Sequence, residues 1–212
     1  YFIYTITKIL ENLVFKISDL TTTVSNKEQN KIFKIYKKKT KLYPNAINLD
    51  NLKFKKEKIK EYIIYTGSYL YKPNKDAIDF LNEYIMPELS KKFPKLKLVI
   101  TGGGFNKNLP WLVNKGIVSK NKLYNLIYNS SCMCVPLKFG SGTRIKIIEA
   151  LSLGTIVVSS PKGIEGIRLK KGKPPFIIPN KKELIINTVI KIIKNQKKLK
   201  IKTNLDKVYY KE

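Results

Sequence analysis

The 212-residue sequence contains no histidine. Its absence removes the commonest metal ligand and the commonest general base, so a zinc site or a histidine base within this chain is nearly excluded. Cysteine is scarce. Cys132 and Cys134 are the only two, and they stand two apart in an apolar run. On a strand they share one face and read as small buried hydrophobes. Arginine is almost missing, with only Arg144 and Arg168 among 42 basic residues. Acidic residues number 15, which leaves a formal net charge of +27. A surface built to read nucleic acid leans on the arginine fork. Here lysine is spread along the whole chain among abundant Ile, Asn and Tyr, the pattern of A/T-rich coding filling solvated positions. Nucleic acid is therefore an unlikely partner, whereas peripheral contact with an anionic membrane stays open. Long apolar runs are also lacking. Residues 1–20 come nearest to a membrane span, and Lys8, Glu11, Asn12, Lys16 and Asp19 interrupt them. With no signal peptide visible, a cytoplasmic setting is expected, including the cytoplasmic face of a membrane.

The length suits one full domain with a piece of another. The chain opens on Tyr1 rather than Met, inside a helical pattern, and is expected to be a fragment. Ile6, Ile9, Leu10, Leu13 and Ile17 recur at helical spacing through residues 1–19. A β-rich run spans Leu20 to Val24. Ser25 and Glu28 form a capping-box pattern that opens a helix to about Lys38, and Pro44-Asn45 closes this section. Residues 46–60 read as a polar connector.

From Tyr62 the pattern becomes strand–helix alternation. Strands are expected at Tyr62–Tyr65, Leu96–Thr101, Gly116–Val118, Cys132–Leu137, Thr155–Ser160 and Phe176–Ile178. Helices are expected from about Asn74, over Lys120–Tyr128 and over Arg144–Leu153, with a last one capped by Asn180 and Glu183. Pro87 should kink or break the first of them. The chain beyond Lys197 is lysine-rich and is expected to fray. This alternation implies an α/β fold: a Rossmann-like parallel sheet with helices on both faces. Ligands then sit past the carboxyl ends of the strands. The glycine loops Gly102-Gly103-Gly104 and Gly140-Ser141-Gly142 both follow strands, so both are expected to line one crevice.

The segment from Pro136 to Ala150 is the most informative. It reads as strand, glycine loop and helix start, an arrangement that leaves backbone N–H groups free for an anion. Arg144 and Lys146 fall in the first turn, where positive charge opposes the helix dipole. Such placement suggests an arriving anion; a tight turn with two solvated basic residues is the alternative. Glu149 follows among Ile147, Ile148 and Leu151, and a partly buried carboxylate needs a partner. A sugar diol, a lysine or a backbone group would serve.

The run from Pro136 to Gly166 resembles the donor-binding signature of retaining GT-B glycosyltransferases of the group 1, or family 4, type. The shared features are Glu149-Ala150, Gly154, Val157-Val158 and Gly163-Ile-Glu-Gly166. Tyr65-Thr-Gly-Ser68 with Pro73-Asn74 resembles the first strand and loop of that domain. Leu98-Val-Ile-Thr-Gly102 resembles the second strand, and Gly116-Ile-Val118 the base-binding segment. Asp19 to Ser25 and Pro44-Asn45 resemble the end of the acceptor domain and the crossover. The resemblance covers about 190 residues in all.

It implies the C-terminal half of a GT-B enzyme. Residues 1–45 would end the acceptor domain and make the crossover, 46–60 connect, 61–197 bind the nucleotide sugar, and 198–212 form a lysine-rich tail. Glu149 would hold the ribose hydroxyls, and Ile117 and Val118 would face the base. The N–H groups of Ser141, Gly142 and Thr143 would cradle the diphosphate, helped by Arg144 and Lys146, with Gly67 and Ser68 alongside. The donor would be a nucleoside-diphosphate sugar, used without metal, and the acceptor a saccharide, a lipid-linked group or a protein. Catalytic residues would lie in the other half, and this part alone would be inactive. Two positions depart from the pattern. Ser141 stands where many relatives carry Glu. Ser68 stands where many carry Arg, which leaves the leaving-group charge to Arg144, Lys146 or Lys72. Two other readings make different demands on the sequence. A dinucleotide enzyme is disfavoured because Gly102-Gly103-Gly104 lacks the required glycine spacing. A non-enzymatic module binding polyanions would show steep, nucleotide-blind salt dependence.

Overall fold

The computed structural model describes residues 2–45, 47, 61–167 and 176–195. The expected tail, nearly all of the expected connector and Arg168 lie outside the described residues. The chain divides into two compact units, Tyr1–Ala46 and Ile47–Glu212.

The first unit holds α1 (Phe2–Ile17), β1 (Thr22–Thr23), α2 (Asn26–Tyr36) and β2 (Lys41–Leu42). The two short strands pair in parallel. The capping box forms: the Glu28 N–H donates to Ser25 Oγ at 3.3 Å, and the Glu28 carboxylate accepts from the Val24 N–H at 3.3 Å. Lys37 adopts a left-handed conformation, φ 55°, and ends α2 close to the expected Lys38. The apolar stripe expected on α1 is there, and all five of its residues are exposed.

The second unit is a six-stranded, fully parallel sheet. Its strands are β3 (Tyr62–Thr66), β4 (Lys97–Thr101), β5 (Leu112–Asn114), β6 (Cys132–Val135), β7 (Val157–Ser159) and β8 (Phe176–Ile177). They lie in the order β5-β4-β3-β6-β7-β8. Every residue of β3, β6 and β7 is buried. Continuous burial is what a sheet covered by helices requires, and it explains why these strands are unbroken apolar runs rather than alternating ones. The flanking helices are α3 (Lys72–Phe80), α4 (Met86–Lys92), α5 (Lys120–Tyr128), α6 (Ile145–Ser152) and α7 (Lys182–Lys194). Ile78, Leu81, Leu89, Ile147, Val189 and Ile192 join Ile63, Ile64, Leu98 and Met133 in one core.

The expected disturbance at Pro87 takes a definite form. A π-helical turn, Leu81–Ile85, separates α3 from α4, and the Met86 N–H donates to the Leu81 carbonyl. Pro87, with no N–H to give, then sits in the first turn of α4, where none is required.

Two expectations on local structure are corrected. The edge strand is Leu112–Asn114, in register with Leu98–Ile100, not Gly116–Val118. Gly116 turns the chain at φ +59°, its N–H bonded to Asn114 Oδ1, and Ile117 projects 86% exposed. The last helix begins at Lys182, and Asn180 does not cap it. The Asn180 amide instead donates to the Pro136 carbonyl at 3.0 Å, tying the last helix's approach to the end of β6.

Candidate functional site

Counted from the start of the second unit, the strand order is 3-2-1-4-5-6. The chain reverses direction across the sheet between β3 and β6, and in open parallel sheets the ligand crevice opens at that switch point. A cavity of about 290 Å³ lies there. Thr66 and Gly67 close β3, Thr101 and Gly102 close β4, and Ile117, Val118, Leu123 and Lys146 complete the lining. Two glycines make it possible. The loops after β3 and β4 touch backbone to backbone: a Cβ at Gly102 would lie 2.5 Å from the Gly67 carbonyl carbon and 2.8 Å from the Ser68 nitrogen. At Gly67, φ is +137°, and a Cβ would lie 2.7 Å from both the Lys146 Nζ and the Asn74 Nδ2.

Lys146 is the cation of the cavity. It is half-buried, and its ammonium donates to Asn74 Oδ1 at 2.9 Å and rests 4.3 Å from the centre of the Tyr65 ring. Among the described residues, no carboxylate forms an ion pair with it. Burial, reinforced by the nearby Arg144 charge and opposed by Glu149, brings its pKa down to about 7. Asn74 is the hub beneath it. Its Oδ1 also accepts from the buried Tyr65 hydroxyl at 2.8 Å, and its Nδ2 donates to the Ser68 carbonyl at 2.9 Å. Burial holds the Tyr65 phenol well above its usual pKa, so it serves as a neutral donor.

The loop before α6 behaves differently from expectation. Ser141 and Gly142 are exposed, and neither they, Thr143 nor Arg144 lines the cavity. The loop packs elsewhere: a Cβ on Gly140 would lie 3.2 Å from the Pro73 ring. Arg144 folds back on it. Its Nη1 donates to the carbonyls of Ser141 and Gly142, while its Nε and Nη2 and the Thr143 hydroxyl are buried without a partner. Among the described residues, nothing accepts from the N–H groups of Ser141, Gly142 and Thr143. Of the two glycine loops, only the one after β4 lines the cavity.

Glu149, one turn along α6 from Ile145, is half-buried. Its partner is neither lysine nor backbone: the Tyr124 hydroxyl of α5 donates to it at 3.2 Å. Burial raises the Glu149 pKa, and the Tyr124 hydrogen bond, Lys120 and Lys146 pull against that rise. Tyr124 is itself pushed up to about 12 by burial and by the Glu149 charge. Ser68 spends its hydroxyl on the neighbouring loops, accepting from the Leu70 N–H and donating to the Gly103 carbonyl. Lys72 is exposed at the start of α3 and does not line the cavity.

Of the residues singled out in the sequence, the cavity therefore gathers Gly67, Gly102, Ile117, Val118 and Lys146. Thr66, Thr101 and Leu123 join them unannounced. Asn74, Tyr65 and Tyr124 were missed as supporting residues. Asn74 had a signal, since it follows Pro73 in the first turn of the helix after a glycine loop. The tyrosines had none, because their partners are 9 and 25 residues away. Among the described residues there is no group of three His, Cys, Asp or Glu that could hold a metal ion, and no helix is long and apolar enough to cross a membrane.

Solved structures share this fold at low identity. HepE of Anabaena, solved with UDP and glucose, superposes with a TM-score of 0.68 at 15% identity over 92% of this chain and 59% of its own. TarM gives 0.67 at 15% identity, over 92% and 40%. The pneumococcal O-GlcNAc transferase GtfA, solved with UDP and GlcNAc, gives 0.60 at 16% identity, over 92% and 42%. The chain thus spans less than two thirds of each of these proteins. No curated protein matches it in sequence. The family model for glycosyl transferases group 1 matches residues 60–195, the whole sheet and its helices. The chain belongs to the group 1 glycosyl transferases.

Proposed function

We propose that this chain binds a nucleoside-diphosphate sugar in the cavity at the switch point, as the donor-binding part of a retaining glycosyltransferase. The enzyme would transfer the sugar to an acceptor hydroxyl on a saccharide, a lipid-linked group or a protein. The observation that carries the reading is Lys146, a cation set in the cavity wall with a single neutral hydrogen-bond acceptor. A partly buried ammonium without a counter-ion is costly, and a diphosphate would supply the missing charge. Ile117, Val118 and Leu123 offer an apolar wall for a base. Glu149, held by Tyr124 and not itself among the residues lining the cavity, would accept from ribose hydroxyls.

The leaving diphosphate gains charge in the transition state, so a cation already fixed at its position stabilises that state more than the ground state. Residues 1–45 are read as the end of the acceptor domain with the crossover, and 61–197 as the donor domain. A cytoplasmic site suits a nucleotide-sugar donor, and the lysine-rich surface suits peripheral contact with an anionic membrane.

The test is calorimetric titration of the folded chain with UDP, GDP and ADP without metal, at low and at moderate salt. Saturable one-site binding that favours one base is expected. Equal binding of all three that vanishes with salt would replace this reading with a polyanion-binding lysine surface.

A further inference from the structure

Three of the eight residues that line the cavity carry polar side chains: Lys146, Thr66 and Thr101. The two threonines end β3 and β4 and stand in register with each other. Side chains alternate along a strand, so Thr66 leaves the sheet on the face of Tyr62, whose hydroxyl donates to the Leu126 carbonyl of α5. Tyr65, one residue earlier, points the other way and reaches Asn74 of α3. Thr101 shares the face of Thr66, because register partners on parallel strands do. Both threonines therefore turn toward the α5 side of the sheet, where Leu123 of α5 walls the cavity.

The two side chains are nearly buried, 4% exposed at Thr66 and 3% at Thr101. Comparably buried hydroxyls elsewhere in this unit have acceptors: Thr155 donates to the Ile127 carbonyl at 2.9 Å, and Ser160 to the Leu137 carbonyl at 2.6 Å. Polar side chains around the cavity are engaged too, Ser68 with its neighbouring loops, Lys146 with Asn74 and Glu149 with Tyr124. The hydroxyls of Thr66 and Thr101 have no hydrogen-bond partner among the described residues. Nor are they sealed in the core, as those of Thr143 and Ser152 are; they border the cavity. A largely buried hydroxyl without a partner is unfavourable until something entering the cavity supplies one.

We infer that Thr66 and Thr101 hydrogen-bond the nucleoside half of the donor and fix where it lies. This rests on the donor-binding reading and adds to it the residues that grip the uncharged half. Lys146 offers a charge to the diphosphate, while Ile117, Val118 and Leu123 offer aliphatic contact alone. A nucleoside carries carbonyl, N–H and hydroxyl groups that lose water on entry and need replacement partners. A threonine hydroxyl both gives and accepts a hydrogen bond, so it meets either kind. The pair is also placed for the task. Thr66 precedes Gly67, where a Cβ would lie 2.7 Å from the Lys146 Nζ. Thr101 precedes Gly102, whose N–H donates to the Gly116 carbonyl just before Ile117. The two hydroxyls thus lie between the cationic end of the cavity and its apolar end. Because they are neutral, their contribution resists added salt, unlike that of Lys146.

The experiment is calorimetric titration of the full chain, Thr66→Val and Thr101→Val with UDP, GDP, ADP and inorganic pyrophosphate at moderate salt, with thermal unfolding of each without ligand. Valine keeps the branched shape of threonine and removes only the hydroxyl. Each valine variant should lose roughly two- to tenfold in affinity for the nucleoside diphosphate that binds, keep its affinity for pyrophosphate, and unfold at the same temperature or higher. Thr66→Ser and Thr101→Ser, which retain the hydroxyl, should keep most of the nucleotide affinity. Unchanged nucleotide affinity in either valine variant overturns the inference, since that hydroxyl then meets only water. An equal loss for pyrophosphate overturns it by placing the hydroxyls on the phosphates. A lowered unfolding temperature, or failure of a valine variant to fold, overturns it by making the hydroxyl structural. All three outcomes leave the donor-binding reading intact while the unaltered chain binds a nucleoside diphosphate. If the unaltered chain binds none of the three, both readings fail.

Discussion

Replacing Gly67 by alanine tests the cavity's construction most sharply, because two separable costs meet at that residue. The first is backbone strain. Gly67 sits at φ +137°, a region nearly confined to glycine, and holding another residue there costs about 1–3 kcal/mol. The second is crowding. The new methyl would lie 2.7 Å from the Asn74 Nδ2 and 2.7 Å from the Lys146 Nζ. The lysine end can swing away. Asn74 cannot, since it is fixed by the Tyr65 hydroxyl, the Lys146 ammonium and the Ser68 carbonyl together. Losing one of those hydrogen bonds adds about 1 kcal/mol. The sum is about 2–4 kcal/mol, or a midpoint about 1–2 M lower in urea for an m-value near 2 kcal/mol/M. Gly142→Ala is the control. Its φ of +81° carries strain, but a Cβ there would meet nothing within 4 Å. Urea unfolding followed through the single tryptophan, Trp111, reads the second unit in both variants. A Gly67→Ala variant no less stable than Gly142→Ala would refute the crowding at Asn74 and with it the described seat of Lys146.

Further outcomes follow from the same geometry. Tyr124→Phe removes the hydrogen bond that lowers the Glu149 pKa. Because a raised carboxylate pKa makes binding fail as pH falls through it, the acid limb of donor affinity should move to higher pH, and affinity near neutrality should fall several-fold; calorimetry from pH 5 to pH 7 checks both. Lys146→Met should abolish measurable donor binding yet raise the unfolding temperature of the empty fold, since it removes a partly buried amine that has no counter-ion, read by thermal unfolding without ligand. Gly163→Ala should unfold or destabilise the second unit, since its Cβ would press on the Ser159 hydroxyl and lie 3.0 Å from the Val135 carbonyl, whereas nucleotide affinity of any folded fraction should be retained.

Much of this architecture was written in local chemistry. Ile63-Ile64, Val99-Ile100 and Val157-Val158 lie in runs too apolar for a half-exposed strand, and each run ends near a glycine or a small polar residue, so a buried parallel sheet followed. Ser25 and Glu28 marked a helix start, and Pro87 marked a break, through interactions within one helical turn. The misplaced edge strand shows where such signals stop. Leu112–Asn114 is three residues long and only half-buried, and its apolar content matches that of Ile117-Val118 nearby. What chose between them was pairing with β4, a tertiary fact. Asn180 had the chemistry of a cap, but its NH2 group is turned to the Pro136 carbonyl 44 residues earlier and its Oδ1 meets no N–H of the helix. At the site, residue type indicated the right basic pair without saying which faces the cavity. Arg144 and Lys146 both read as anion ligands, and only the fold turns one onto its own loop and the other into the crevice.

The central claim is that a nucleoside diphosphate occupies the crevice where the loops after β3 and β4 meet. Amide chemical-shift mapping of the isotopically labelled chain, titrated with UDP at moderate salt, tests it most directly. The account predicts that the amides of Gly67, Gly102, Ile117 and Val118 shift first and saturate together, with the Lys146 side chain following the same curve. Shifts scattered over the exposed lysines and erased by added salt, with those four amides unmoved, would contradict it.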